Sequence, residues 1–145
     1  MTVLDAYAVI ALLRDEYAAP EVVEILDSER PASLTPLGAA EVVDQLIRVA
    51  GADRDTAVLD VAQLGLDEPQ PLDHRTALRA GLLRARHYRR RHCEISRADC
   101  VAAETARARR EPLATSDPDL LATCHAEGIA VLVLPDSSGG RWQTR

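Results

Sequence analysis

Thr2-Val3-Leu4-Asp5-Ala6-Tyr7-Ala8-Val9-Ile10-Ala11-Leu12-Leu13-Arg14 decides how the rest of this 145-residue chain is read. Residues 2–5 suit a short buried strand, and residues 5–14 suit a helix with Asp5 near its N-cap. The hand-over from strand to helix recurs. Residues 32–34 run into Thr35-Pro36, a good N-cap and N1 pair, and residues 112–115 run into Asp117-Pro118, another. Ile129-Ala-Val-Leu-Val-Leu134 is a nearly continuous apolar strand. Buried strands alternating with helices imply an α/β fold, a central parallel sheet covered by helices on both faces.

The connecting segments read as helices. Pro20 opens one over residues 21–27. The next follows Thr35, is apolar at Val42, Val43, Leu46, Ile47 and Val49, and stops at Gly51. Residues 52–64 form another, ended by Gly65. Residues 66–72, acidic and with two prolines, make at best a short edge strand. A long helix is expected over residues 73–92, apolar at Leu78, Leu82 and Leu83 and rich in arginine elsewhere. Further helices are expected over residues 97–110 and Pro118–Glu127, the latter closed by Gly128. One domain over residues 1–135 and a mobile C-terminal tail, residues 136–145, account for the chain.

Composition narrows the function. Hydrophobic residues make up 47% of a 15.8 kDa chain with no Phe, so Leu, Val, Ile and Ala must build the core. All 17 basic residues are arginines, which excludes chemistry that needs a lysine, such as a P-loop or a Schiff base. Cys93, Cys100 and Cys124 lack metal-finger spacing and read as reduced thiols. No apolar run reaches the roughly 18–20 residues of a membrane span, and no leader pattern opens the chain, so a cytoplasmic location is expected.

Four acidic residues stand out. Asp5, Asp99 and Asp117 fall at expected strand-to-helix switches, and Glu41 lies inside a helix. Singly, each has an ordinary role: Asp5 and Asp117 as N-caps, Asp99 in a variant capping box with Ser96, Glu41 as a surface residue. As a set they share one rim of an open sheet, where ligands bind α/β proteins. Carboxylates gathered there raise one another's pKa or hold a cation. The net charge of −6 agrees with an acidic centre, and the chemistry it suits is metal-assisted phosphodiester hydrolysis.

The segments 2–13, the Glu41 helix, Ser96-Arg-Ala-Asp99-Cys-Val-Ala-Ala-Glu-Thr-Ala and Leu113-Ala-Thr115-Ser-Asp117-Pro-Asp119-Leu resemble a PIN domain, and more narrowly a VapC-type toxin of a type II toxin–antitoxin pair. The resemblance runs from Val3 to Leu134. It implies an endoribonuclease using Mg²⁺ or Mn²⁺, with Asp5, Glu41, Asp99 and Asp117 as catalytic metal ligands and Thr115 and Asp119 in support. It further implies tRNA or rRNA as substrate, a cognate antitoxin covering the acidic pocket, and a homodimer that forms a heterotetramer or larger assembly with it. Two other readings remain: a PIN-fold nuclease of RNA processing outside toxin–antitoxin systems, and a non-catalytic PIN-fold interaction module.

The densest basic stretch is Arg84-Ala-Arg86-His-Tyr-Arg89-Arg90-Arg91-His92. It reads first as a solvated helix face. Arg86, Arg89, Arg90 and Arg97 are also the candidates for sequence-independent phosphate contacts with RNA. Tyr7 is expected to pack on the core and Trp142 against a partner.

Overall fold

The computed structural model describes residues 1–68 and 71–144. Its elements run β1 (Thr2–Leu4), α1 (Ala6–Leu13), α2 (Ala19–Asp27), β2 (Ala32–Leu34), α3 (Pro36–Arg48), α4 (Arg54–Ala62), α5 (His74–His87), α6 (Arg97–Arg109), β3 (Leu113–Thr115), α7 (Pro118–Glu127) and β4 (Val131–Val133). The four strands form one parallel sheet in the order β2-β1-β3-β4. The chain leaves β1 toward β2 on one side and returns from β2 to β3 on the other. The carboxyl ends of β1 and β3 therefore diverge at a switch point, where the crossovers leave a crevice.

Strand alternation divides the core in two. Leu4, Leu34 and Ala114 face the cluster made with α1 to α4, including Val9, Val22, Val42 and Ala57. Val3 and Leu113 face the opposite cluster with α5, α6 and α7, including Leu83, Ile95, Val101 and Leu120. Aliphatic and small residues fill both layers, as the absence of Phe requires. Cys100 and Cys124 sit in the second layer as free thiols. Burial pushes both thiols up to about 12, so they act as small hydrophobes.

Caps set most boundaries. Thr35 Oγ1 accepts from Gly38 N, Asp53 from Thr56 N and Asp73 from Thr76 N, all through side-chain oxygens. Three expectations change. The helix expected over residues 73–92 stops at His87, because the chain must turn back to bury Ile95, fully enclosed. Arg84 Nε donates to the Ile95 carbonyl at 2.9 Å, and its guanidinium lies 4.1 Å from the Tyr88 ring centroid. Arg89 and Cys93 then pair in a tight antiparallel bridge, with Arg91 left-handed at φ 68°. Second, Asp99 follows this turn and not a strand, so only Asp5 and Asp117 stand at strand ends. Third, β4 is shorter than residues 129–134 and lies at the sheet edge, where Leu132 is 40% exposed. Of the doubtful edge strand at residues 66–72, the described residues 66–68 and 71–72 form no strand, and residues 69–70 lie outside the described set.

Among the described residues, no helix is long and apolar enough to cross a membrane. Residues 136–144 are exposed apart from the half-buried Trp142, and Arg141 ties them to the domain. Asp136 Oδ1 accepts from Ser138 and Gly140 backbone N–H, and Arg141 donates to the Val133 carbonyl and pairs with Glu21. Residue 145 lies outside the described set.

Candidate active site

Asp5 ends β1, and its backbone N–H extends the ladder by donating to the Ala114 carbonyl at 3.0 Å. It occupies the N-cap position of α1, yet its side chain makes no capping bond. The carboxylate instead accepts a 2.6 Å hydrogen bond from Thr115 Oγ1 across the β1–β3 junction. Thr115 is fully buried and also accepts from Asp117 N at 3.1 Å. One hydroxyl thus couples the strand ends that carry Asp5 and Asp117.

Asp99 is the N3 residue of α6 in a complete capping box. Its Oδ2 accepts from Ser96 N at 2.6 Å, and Ser96 Oγ accepts from Asp99 N at 3.0 Å. Asp117 caps α7, its Oδ1 accepting from Asp119 N and Leu120 N. Glu41 projects from α3, nearly two turns in, and is half-buried. Asp5, Glu41, Asp99 and Asp117 all line one open pocket of about 580 Å³. Glu16, Glu94 and Asp136 join them, and Arg14 is the one arginine among the lining residues.

The electrostatics follow from this crowding. Burial, then the Asp99 charge, raises the Asp5 carboxyl to about 7, with Glu41 and Asp117 adding to the rise and Thr115 opposing it. Glu41 is raised by burial and by Asp99 and Asp117. Asp117 is raised by burial and Asp99, against the two amide hydrogen bonds of its cap. Such a site favours uptake of either protons or cations. Its lining offers carboxylate and hydroxyl oxygens without thiol or imidazole, the donor set of a hard ion such as Mg²⁺ or Mn²⁺. Among the described residues no three acidic, His or Cys side chains close into a ligand cage.

The other sequence candidates fall elsewhere. Asp119 is absent from this lining, and its Oδ2 holds Glu94 N at 2.8 Å. Arg86 pairs with Glu127 at 3.1 Å on the far end of α7, where His87 and Arg107 reach the same carboxylate. Arg89 and Arg90 lie on the exposed turn after α5, and Arg97 lines a groove with Arg84 and Tyr88. None of these four arginines lines the acidic pocket. Tyr7 packs on the core as expected and donates from its hydroxyl to the Pro135 carbonyl. Sequence reasoning missed Glu16, Glu94 and Asp136 in the lining. For Asp136 the signal is its place just beyond the last apolar strand, three residues after Val133.

Residues 2–132 match the PIN domain family. No curated protein matches the chain significantly. VapBC2 from Rickettsia felis, solved bound to a DNA fragment from their promoter, is similar in structure, with a TM-score of 0.65 at 15% identity, covering 90% of this chain and 96% of that one. FitAcB from Neisseria gonorrhoeae gives 0.64 at 22% identity, with 91% and 96% covered. A toxin–antitoxin complex from Klebsiella pneumoniae gives 0.60 at 15% identity, with 81% and 87% covered. At these identities the likeness is one of fold.

Proposed function

The chain belongs to the PIN domain family, and from that premise we propose that it is a divalent-metal-dependent endoribonuclease, the toxin of a toxin–antitoxin pair acting on tRNA or rRNA. The observation that carries this reading is the gathering of Asp5, Glu41, Asp99 and Asp117 on one pocket at the β1–β3 switch point. Asp5 and Asp99 are the principal ligands in this scheme, with Glu41 and Asp117 as further or water-mediated ones. A bound Mg²⁺ or Mn²⁺ supplies Lewis acidity toward the phosphate and acidifies water at neutral pH.

The protein's own part is positioning. Thr115 fixes the rotamer of Asp5, and the Ser96–Asp99 box fixes that of Asp99, so neither carboxylate must reorganise during reaction. The unneutralised pocket repels phosphate, which makes RNA engagement conditional on the cation. The same surplus of carboxylates over the single Arg14 suits inhibition by a basic side chain of a cognate antitoxin. Similarity to a structure described as a toxin–antitoxin complex supports that partnership. A homodimer, and a heterotetramer or larger assembly with antitoxin, complete the proposal.

One observation favours a non-catalytic module: Asp99 and Asp117 already serve helix N-termini. The test separates the two. Purified, antitoxin-free protein is incubated with total RNA and Mg²⁺ or Mn²⁺, beside EDTA and Asp99→Asn, which keeps a capping acceptor. Discrete metal-dependent products that disappear in the variant are expected. Full activity in EDTA or in Asp99→Asn would overturn the site assignment.

A further inference from the structure

A second cavity lies beside the acidic pocket. It is an open groove of about 950 Å³ between α7 and the C-terminal segment, and Pro118 lines both spaces. Pro118, Ala122 and His125 recur at helical spacing along one face of α7 and form its floor. Trp142 and Gln143 form the opposite wall. The Trp142 ring packs on that of His125 in a tilted contact, 6.2 Å between centroids at 59°, which orients the indole. His92 enters from the turn after α5.

The segment carrying Trp142 is anchored. Arg141 donates to the Val133 carbonyl at 2.8 Å and pairs with Glu21 on α2, and the Asp136 turn fixes the approach. Trp142 itself stays partly exposed to the cavity. An anchored, partly exposed indole, with amide and imidazole groups around it, has the makings of a nucleobase site. Unpaired RNA bases are held by stacking on Trp or His and by hydrogen bonds to the base edge.

We propose that Trp142, oriented by its contact with His125, is a base-stacking platform that seats an unpaired nucleobase of the RNA a few nucleotides from the scissile bond. Asp117 and His125 lie about 12 Å apart along α7 by helical rise, so the flanking nucleotides can follow the helix from pocket to cavity. Gln143 and His92 line the same cavity and offer hydrogen-bonding groups that would bias which base is accepted. The inference rests on the ribonuclease reading above, and it makes the C-terminal segment a specificity element.

Trp142 is the chain's single tryptophan, so its emission reports this site alone. The experiment titrates wild-type protein, with Ca²⁺ in place of Mg²⁺ to neutralise the pocket without turnover, with a short single-stranded oligoribonucleotide and follows tryptophan fluorescence. Saturable quenching is expected. In the wild-type background Trp142→Leu, which keeps apolar bulk, is expected to raise KM roughly 5- to 150-fold, the range for losing one stacked base, with kcat little changed. Trp142→Phe restores most of the loss. If wild-type protein cleaves RNA while the emission does not change, or if the Leu and Phe variants behave alike, the subsite is overturned and the nuclease stands. If the wild type neither binds nor cleaves RNA, both readings fall.

Discussion

Thr115 is the residue on which the site's geometry turns, because its hydroxyl donates to Asp5 and accepts from Asp117 N at the same time. Thr115→Val keeps the shape and removes both bonds. Asp5 then loses the one partner that opposes its raised pKa. Cleavage is expected to fall about 10- to 100-fold, the usual effect of removing a group that orients a metal ligand. Stability should fall by about 1–3 kcal/mol for the buried polar groups left unpaired. Steady-state kinetics and chemical denaturation on the same preparation check both; unchanged cleavage would show that Asp5 needs no orientation. Asp99 illustrates a different residue-scale point. The sequence alone suggests that Asp5→Ala or Asp99→Ala relieves repulsion and leaves the fold intact or stabilised. Asp99 Oδ2 also caps α6, so Asp99→Ala sacrifices a capping box with a typical value of about 1 kcal/mol.

At the scale of elements, α5, α6 and α7 are tied by one carboxylate. Glu127 accepts from His87, Arg107 and Arg86, and these hold it down at about 2. Arg107 Nε also lies 3.3 Å from Glu104, although without hydrogen-bond alignment. Glu127→Gln removes the charge that three cationic or donor groups share. A loss of about 1–3 kcal/mol is expected near neutral pH, since hydrogen bonds to charged groups exceed neutral ones. Thermal unfolding measures it, and metal affinity should not move, because Glu127 lies outside the acidic pocket. The lowered pKa gives the contribution a direction in pH. It is complete above the unfolded value near 4.5 and disappears as pH falls through about 2.

For the whole molecule the acidic pocket acts in the opposite sense. The Asp5 carboxyl is raised from 3.8 to about 7, so protonation favours the folded state. Its contribution is full below about 3.8 and is lost as pH rises through about 7. A displacement of that size corresponds to about 4 kcal/mol as an upper bound, and Glu41 and Asp117 shift the same way. Metal-free protein should therefore be most stable near pH 4, where the Glu127 contribution is nearly complete and that of Asp5 has only begun to fall. Added Mn²⁺ should stabilise more at pH 8 than at pH 5, and a hundredfold excess over its Kd at pH 8 adds about 2.7 kcal/mol. Melting curves with and without EDTA across pH 4–9 test this. A metal-free protein that gains stability steadily from pH 5 to 8 would mean that the carboxylates do not repel one another in the fold.

What the sequence determined by itself lies where local physics is decisive. Ala32–Leu34, the Thr35-Pro36 cap and the helix Pro118–Glu127 closed by Gly128 were legible because caps, Pro at N1 and Gly after the end act over a few residues. The parallel α/β class followed from apolar strands without alternation. That the four acids deserved grouping was legible from the family pattern and, for Asp5, Asp99 and Asp117, from their expected positions at segment ends. Tertiary structure alone decided that they share a pocket, since Glu41 reaches it from mid-helix and Asp99 from a turn with no strand before it. It alone ended α5 at His87, where no Gly or Pro marks a stop and burial of Ile95 bends the chain. It also brought Asp136 to the pocket and Trp142 to His125. Those outcomes depend on contacts between residues far apart in the chain, and no local pattern carries that information.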